Sequence, residues 1–250
     1  MFLKQRLDDR KSGLTLLLLF VLILAPISAA CMNLDFLQPT NETLVRAVVM
    51  LTHSAGPEGF LLTLILLMLW TGWRVRATKA EWLNKAIQLG ILLVLAVGMK
   101  SGLKKMTESP RPYTEAMTQA LILPSPEHFY KLDRSQQLAV MDEMADQVSP
   151  ARIESWKKET DYSFPSGHTV FATLCLAFFG GILLEQQRRA SAVVLLMWSA
   201  SIGFSRLWLG MHRPADLLGA AILVGVLYFV VPRRYPLAEK LLGRVLPQAR

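Results

Sequence analysis

The feature that most constrains this chain is a set of six apolar runs separated by short basic turns and by one large polar segment. The runs are Gly13 to Ala30, Gly59 to Trp73, Ala86 to Met99, Thr169 to Leu184, Ala190 to Phe204 and Pro214 to Val231. Inside a bilayer no water satisfies a free backbone N–H or C=O, so such segments must fold as helices that close their own hydrogen bonds. They predict an all-α fold: a polytopic membrane helix bundle with six transmembrane helices and a large helical loop between helices 3 and 4 on the outer side. The bundle is read as one membrane-embedded domain over residues 1–250, in keeping with a hydrophobic fraction of 52%.

Charge sets the orientation. Arg74, Arg76, Lys79 and Lys85 follow the second run, Glu185 to Arg189 follow the fourth, and Arg233, Arg234, Lys240, Arg244 and Arg250 follow the sixth. Cytoplasmic ends of spans are enriched in Lys and Arg, so these turns and both termini are expected inside. The first run follows Lys4, Arg6, Arg10 and Lys11 and ends at Ser28-Ala29-Ala30, a pattern that a first span shares with a signal peptide. Its length favours a retained helix, and either reading leaves Cys31 outside. Between the first two runs, Pro39-Thr40-Asn41 caps a short helix carrying Leu44, Val45, Val48, Val49 and Leu51, which suits the bilayer surface. His53 follows with no evident partner and is left out of the site. Residues 100–164 form the large loop, with helical patches such as Ser135 to Asp146, and Phe129, Tyr130 and Trp156 are expected to rest on lipid.

The excess of 27 Lys+Arg over 19 Asp+Glu would suggest nucleic acid in a soluble chain. The inside-positive turns account for it here, and no basic face is interleaved with aromatics, so no nucleic-acid partner is expected. Cys31 and Cys175 are not expected to pair, and no Cys/His cluster has metal-ligand spacing, so neither a metal nor another cofactor is expected.

Alternating the spans brings three polar clusters to the same outer surface: Lys104 to Pro112, Ser166 to His168, and Ser205 to Asp216. Taken singly, each has a plain structural reading. Pro165-Ser166-Gly167-His168 can be a helix cap followed by an interfacial histidine, and His212 with Asp216 can be a salt bridge. Their convergence points instead to a site. Lys104, Arg111 and Arg206 supply three positive charges, and arginine grips phosphate oxygens through parallel hydrogen bonds. Ser166 and the backbone at Gly167, at the start of a helix, add neutral donors. Such a pocket suits a tetrahedral oxyanion and hence phosphoryl transfer.

Two imidazoles complete it. Asp216 stands one helical turn after His212, so its carboxylate can orient that ring and stabilise the cation formed on attack. His212 is therefore read as the nucleophile. His168 is read as general acid toward the leaving oxygen and then as base for the water that cleaves the phosphohistidine.

The clusters spell K-x6-R-P at Lys104, Arg111 and Pro112, P-S-G-H at Pro165 to His168, and S-R-x5-H-x3-D at Ser205, Arg206, His212 and Asp216. In this the chain resembles the type 2 phosphatidic acid phosphatase superfamily. Trp156 to Thr160 and Phe164 to Thr169 are similar to its bacterial phosphatidylglycerophosphatase branch. The resemblance implies a metal-independent lipid phosphatase of the bacterial inner membrane, with its site open to the periplasm. Membrane lipids with phosphate or pyrophosphate head groups would be its partners: phosphatidylglycerol phosphate, undecaprenyl pyrophosphate, diacylglycerol pyrophosphate, phosphatidate and lysophosphatidate. A similar constellation holds vanadate in haloperoxidases, which are typically soluble. A serine hydrolase built on Ser166 leaves the three cations without a role. A non-catalytic lipid transporter is the principal alternative from another functional class.

Overall fold

The computed structural model describes residues 2–32, 34–38 and 40–245, the side chains of 2–5 and 241–245 excepted. Pro39 and Arg250, with the side chains of Lys4 and Arg244, lie outside the described residues. All regular structure among the described residues is helical. In chain order the helices are α1 (Phe2–Cys31), α2 (Glu42–His53), α3 (Phe60–Arg74) and α4 (Lys79–Thr107), then α5 (Pro112–Gln119), α6 (Arg134–Asp142) and α7 (Pro150–Lys158). A continuous rod follows, made of α8 (Gly167–Cys175), a π turn (Leu176–Gly180) and α9 (Gly181–Glu185). The chain ends with α10 (Arg189–Trp208), α11 (Pro214–Val230) and α12 (Pro236–Val245).

Four of these are long and apolar enough to cross a membrane: α1, α4, the α8–α9 rod and α10. The apolar helices α3 and α11 are shorter, at 15 and 17 residues. The rod is the central pole. In its most apolar stretch 89% of residues are buried within the protein, against 28% for α1 and 22% for α4, which therefore present most of their surface outward. α1, α10 and α11 pack around the rod. Gly13 makes the approach of α1 possible, because a Cβ there would stand 2.5 Å from the Ala177 carbonyl oxygen in the π turn.

Helix ends follow capping rather than hydropathy. α4 starts at Lys79, ahead of the apolar run, because Thr78 and Glu81 form a reciprocal capping box. It runs past Met99 to Thr107 and stops where Glu108 turns left-handed at φ 44°. Lys100 and Lys104 therefore project from a rigid helix and not from a loop. Asn41 caps α2, its side chain accepting from the Leu44 N–H at 3.2 Å.

The segment between α4 and α8 builds a core of its own over one end of the bundle. Tyr113, Met117, Phe129, Met141, Met144 and Trp156 pack there with Val45 and Val48 of α2 and with Leu209 and Met211. Phe129 and Trp156 are thus fully buried, which corrects the expectation that they rest on lipid. Short amphipathic helices such as α5 to α7 bury their apolar faces against one another, and a tryptophan N–H inside such a core needs an acceptor. Trp156 donates to the Leu209 carbonyl at 2.7 Å and stacks on Tyr113 at 5.3 Å. Tyr130 is also diverted from lipid: its hydroxyl accepts the Arg111 N–H at 2.9 Å and its ring stacks on Tyr162 at 4.4 Å. His53 has partners after all, in Lys158 at 3.3 Å and Glu58 at 3.8 Å.

Trp156→Ala should remove the centre of this second core and cost about 3–5 kcal/mol, read as a lower denaturant midpoint in detergent. An unchanged midpoint would contradict the account of this core.

Candidate active site

Local structure brings the three clusters together. α8 begins at Gly167 because Ser166 caps it, its hydroxyl accepting from the Thr169 N–H at 3.4 Å and from the Thr169 hydroxyl at 3.0 Å. The Phe164–Pro165 peptide bond is cis. The Phe164 ring lies on Gly219, where a Cβ would come within 2.2 Å of it, and the Ser166 N–H bonds the Asp216 carbonyl at 3.2 Å. These contacts tie the start of α8, with His168, to the first turn of α11.

The turn after α10 delivers His212. Gly210 adopts φ +74°, a left-handed conformation that residues with a Cβ rarely take, and the N–H groups of Met211 and His212 both return to the Arg206 carbonyl at 3.1 Å. Arg111, just before α5, reaches the same turn, donating through Nη1 to the Met211 carbonyl at 3.1 Å.

Asp216 accepts from the Arg213 N–H at 2.8 Å, which fixes the start of α11, and its Oδ2 lies 3.2 Å from His212 Nδ1. The Ser163 hydroxyl joins the pair, bonding Asp216 Oδ2 and standing 3.1 Å from His212 Nδ1. With the Nδ1 proton held by the carboxylate, the Nε2 lone pair faces the cations: Arg111 Nη1 is 3.2 Å from it. Burial, and then the Arg111 charge, push the His212 pKa down to about 3, so this imidazole is neutral at pH 7.

Three cations are buried around these rings. Arg111 and Arg206 are at most 1% exposed and Lys104 is 8% exposed. Buried charges need counter-charges, and two acids supply them. Glu159 accepts from Arg206 Nη2 at 2.6 Å, stands 3.1 Å from Arg111 Nη2 and 3.6 Å from His168 Nδ1. Asp161 holds Arg111 Nη2 at 2.6 Å and Lys104 Nζ at 3.0 Å. Burial opposes ionisation of Glu159, but Arg206, His168 and Arg111 outweigh it and hold its carboxyl well below the ordinary carboxylate range. Asp161 is likewise lowered, burial being outweighed by Arg111 and Lys104. Among the described residues Arg206 Nε is buried without a hydrogen-bond partner, although Nη1 reaches Thr52 at 3.2 Å.

A cavity of about 620 Å³ opens from this cluster along α4. Lys100, Lys104, Lys158, Glu159, Asp161 and His168 are among its polar lining, and Phe60, Leu93, Val97 and Phe171 among its apolar lining. Gly167 leaves room for Lys100, which a Cβ would meet at 3.3 Å, and Gly56 closes over His168, where a Cβ would stand 2.5 Å from Nε2. Among the described residues, no group of three or more His, Cys, Asp or Glu side chains is placed to hold a metal ion.

All eight residues singled out in the sequence, Lys104, Arg111, Ser166, Gly167, His168, Arg206, His212 and Asp216, meet at this end of the bundle. Glu159, Asp161, Ser163 and Thr52 were not anticipated. A signal for the first two was present, since two acids stand in the short polar run just ahead of Pro165 while three cations wanted partners.

The sequence model of the PAP2 superfamily matches residues 85–239, which include every one of these eight residues. The chain belongs to this superfamily. Among PAP2-related proteins, phosphatidylglycerophosphatase B of Escherichia coli K12 is 32% identical over 217 residues, covering 85% of this chain and 84% of that protein. Phosphatidylglycerophosphatase B of Haemophilus influenzae is 29% identical over 224 residues, covering 85% and 92%. Undecaprenyl-diphosphatase BcrC of Bacillus subtilis is 40% identical over a shorter stretch of 72 residues, covering 28% and 35%.

Both Glu159 and His212 bind protons less readily in the folded protein than in the unfolded chain. Stability should therefore be full above about pH 6.5 and fall as the pH drops toward 3, first through the ordinary histidine value and then through the ordinary carboxylate value near 4.3. Glu159→Gln should lower the thermal midpoint at pH 7.5 and flatten the acid limb below about pH 4.3. A variant whose midpoint parallels the parent at every pH would remove Glu159 from this charge balance.

Proposed function

We propose that this protein is an integral-membrane lipid phosphatase that removes the terminal phosphate of phosphatidylglycerol phosphate and related lipid phosphates and pyrophosphates. Undecaprenyl pyrophosphate, diacylglycerol pyrophosphate, phosphatidate and lysophosphatidate belong to the same class. The observation that carries the reading is that Arg111, Arg206 and His168 already converge on one anion, the Glu159 carboxylate, beside a neutral His212. A phosphoryl group of greater charge would displace that carboxylate, and the unused Arg206 Nε would add a donor to it. The names of the relatives support lipid phosphates and pyrophosphates as substrates.

The lipid would enter sideways, its tail against Phe60, Leu93, Val97 and Phe171 and its phosphate toward Lys104 and His168. Six spans, α3 and α11 included, with both termini in the cytoplasm, put the site at the periplasmic face of the inner membrane. The basic turns at Arg74 to Lys85, Arg188-Arg189 and Arg233-Arg234 support this orientation.

His212 Nε2 attacks phosphorus while the bond from phosphorus to the lipid oxygen breaks. His168 gives that oxygen its proton, and the lipid alcohol, or the lipid monophosphate from a pyrophosphate, leaves. Asp216 and Ser163 hold His212 Nδ1–H and stabilise the charge that develops on the ring. Water, deprotonated by His168, then breaks the P–N bond and releases inorganic phosphate. Lys104, Arg111, Arg206, Ser166 and the Gly167 N–H neutralise the phosphoryl oxygens, so no metal ion is required.

Purified protein should release phosphate from a panel of these lipids in the presence of chelators, and His212→Ala should release none. His168→Ala should accumulate an acid-labile phosphoenzyme that His212→Ala lacks. Lipid movement across vesicles that persists in His212→Ala, with no phosphate freed by the parent, would establish a transporter instead. Because Glu159 competes for the same donors through charge-assisted hydrogen bonds, Glu159→Gln should bind vanadate at least about tenfold more tightly. Unchanged or weaker inhibition would show that the carboxylate does not occupy the oxyanion position.

A further inference from the structure

A second cavity, of about 610 Å³, lies at the end of the bundle away from the histidines. Chain direction sets its place. α4 carries Lys85 and Gln88 near its start and Lys104 near its end, while the α8–α9 rod carries His168 at its start and Glu185 at its end. Arg10 of α1 and Arg233 and Arg234 beyond α11 complete the ring.

Several donors of this cavity have no acceptor among the described residues. Arg10 is 3% exposed, and it spends Nε on the Phe229 carbonyl at 2.9 Å and Nη2 on the Val231 carbonyl at 2.5 Å, yet Nη1 is buried without a hydrogen-bond partner among the described residues. Gln88, equally buried, leaves its side-chain nitrogen unpaired. Lys85 and Arg234 make no hydrogen bond or ion pair among the described residues. Three acids also line the cavity: Glu185 is held by Arg233 at 2.7 Å, Glu81 is engaged in its capping box with the Thr78 N–H at 2.7 Å, and Asp9 lies near Arg10 and Arg233, so that five basic side chains stand against three acidic ones. An unsatisfied buried donor is costly, and four side chains offering donors to one space call for an acceptor that carries negative charge.

Lys85 also stands at the mouth of an apolar slot of about 200 Å³ between α3 and α4, lined by Met68, Gly72, Trp82, Leu89 and Phe179. Gly72 is exposed on the wall of the slot, and a Cβ there would meet no atom within 4 Å. A polar, cationic chamber joined at one lysine to a hydrocarbon slot has the shape of an amphiphile with an anionic head. We propose that chamber and slot together hold an anionic phospholipid, with its phosphodiester among Arg10, Lys85, Gln88 and Arg234 and one acyl chain beside Gly72. Basic pockets between membrane helices bind such head groups through the same combination of charge and apolar contact. The occupant ties the ends of α1, α4, α9 and α11 together and so stabilises the folded bundle by mass action. This site is separate from the one that turns over lipid phosphate, and it stands whether or not that reaction is confirmed.

The test is thermal unfolding of the full chain in a nonionic detergent, titrated with dioleoyl phosphatidylglycerol, with dioleoyl phosphatidylcholine, and with inorganic phosphate. Phosphatidylglycerol should raise the midpoint saturably, and phosphatidylcholine should not. Lys85→Gln should weaken the effect about fivefold, the equivalent of about 1 kcal/mol for one basic residue at a membrane surface. Gly72→Leu, whose Cβ would start in open space, places a branched side chain in the slot and should weaken the lipid effect, read against that variant's own unliganded midpoint. Equal stabilisation of the parent and both variants would mean that the lipid binds elsewhere and would overturn the proposal. Stabilisation by inorganic phosphate alone, untouched by Gly72→Leu, would overturn the lipid assignment in favour of a free-anion pocket.

Discussion

Arg111 and Arg206 have almost no exposed surface, and Lys104 has little. Removing three guanidinium and ammonium groups from water is tolerable only where anions meet them, because the cost of desolvating each is several kcal/mol. Much of the surrounding architecture answers that requirement. Glu159 and Asp161 sit on the strand of chain that leads from α7 to α8 and reach back to all three cations. On the proposed reading, the Glu159 carboxylate that helps make the resting charge balance possible stands where a substrate phosphate would stand. On that reading balance and catalysis share one set of donors, and an incoming phosphoryl group would find cations whose desolvation is already compensated.

The second core, over the histidine end of the bundle, gives those contacts their rigidity. Trp156, Tyr113 and Phe129 fill it, and hydrogen bonds from it run directly to the site. Trp156 fixes the Leu209 carbonyl, Tyr130 fixes the Arg111 N–H, and the Tyr113 hydroxyl donates to the Glu159 carbonyl at 3.0 Å. On the other side, Phe164 against Gly219 couples the start of α8 to α11, so His168 and the His212–Asp216 pair cannot move independently. Preorganised donors cost no rearrangement as charge develops, which is the usual source of the largest electrostatic contribution to catalysis.

Much of this was legible in the residues alone. Apolar runs and basic turns located the long helices, and the alternation of runs sent Lys104, His168 and His212 to the same end. The four-residue spacing from His212 to Asp216 correctly anticipated a hydrogen bond within one turn. Helix limits were harder, because α4 obeys its capping box and a left-handed stop at Glu108, neither of which tracks hydropathy. The burial of Phe129 and Trp156 is not legible in the sequence, because an aromatic residue in a polar loop looks the same whether it meets lipid or a small separate core. Glu159, Asp161 and Ser163 escape a sequence reading for a related reason: each makes its contacts with segments far apart in the chain, and only the folded arrangement shows which cation a given acid reaches.

The central claim is that one oxyanion site, held by Glu159 at rest, lies between Arg111, Arg206 and the two histidines. A structure determined with bound vanadate tests it most directly. The account predicts vanadium at bonding distance from His212 Nε2, its oxygens on Arg111 and on both Nε and Nη2 of Arg206, and Glu159 moved away from Arg206. Vanadate bound elsewhere, with Glu159 still paired to Arg206 at 2.6 Å, would contradict it.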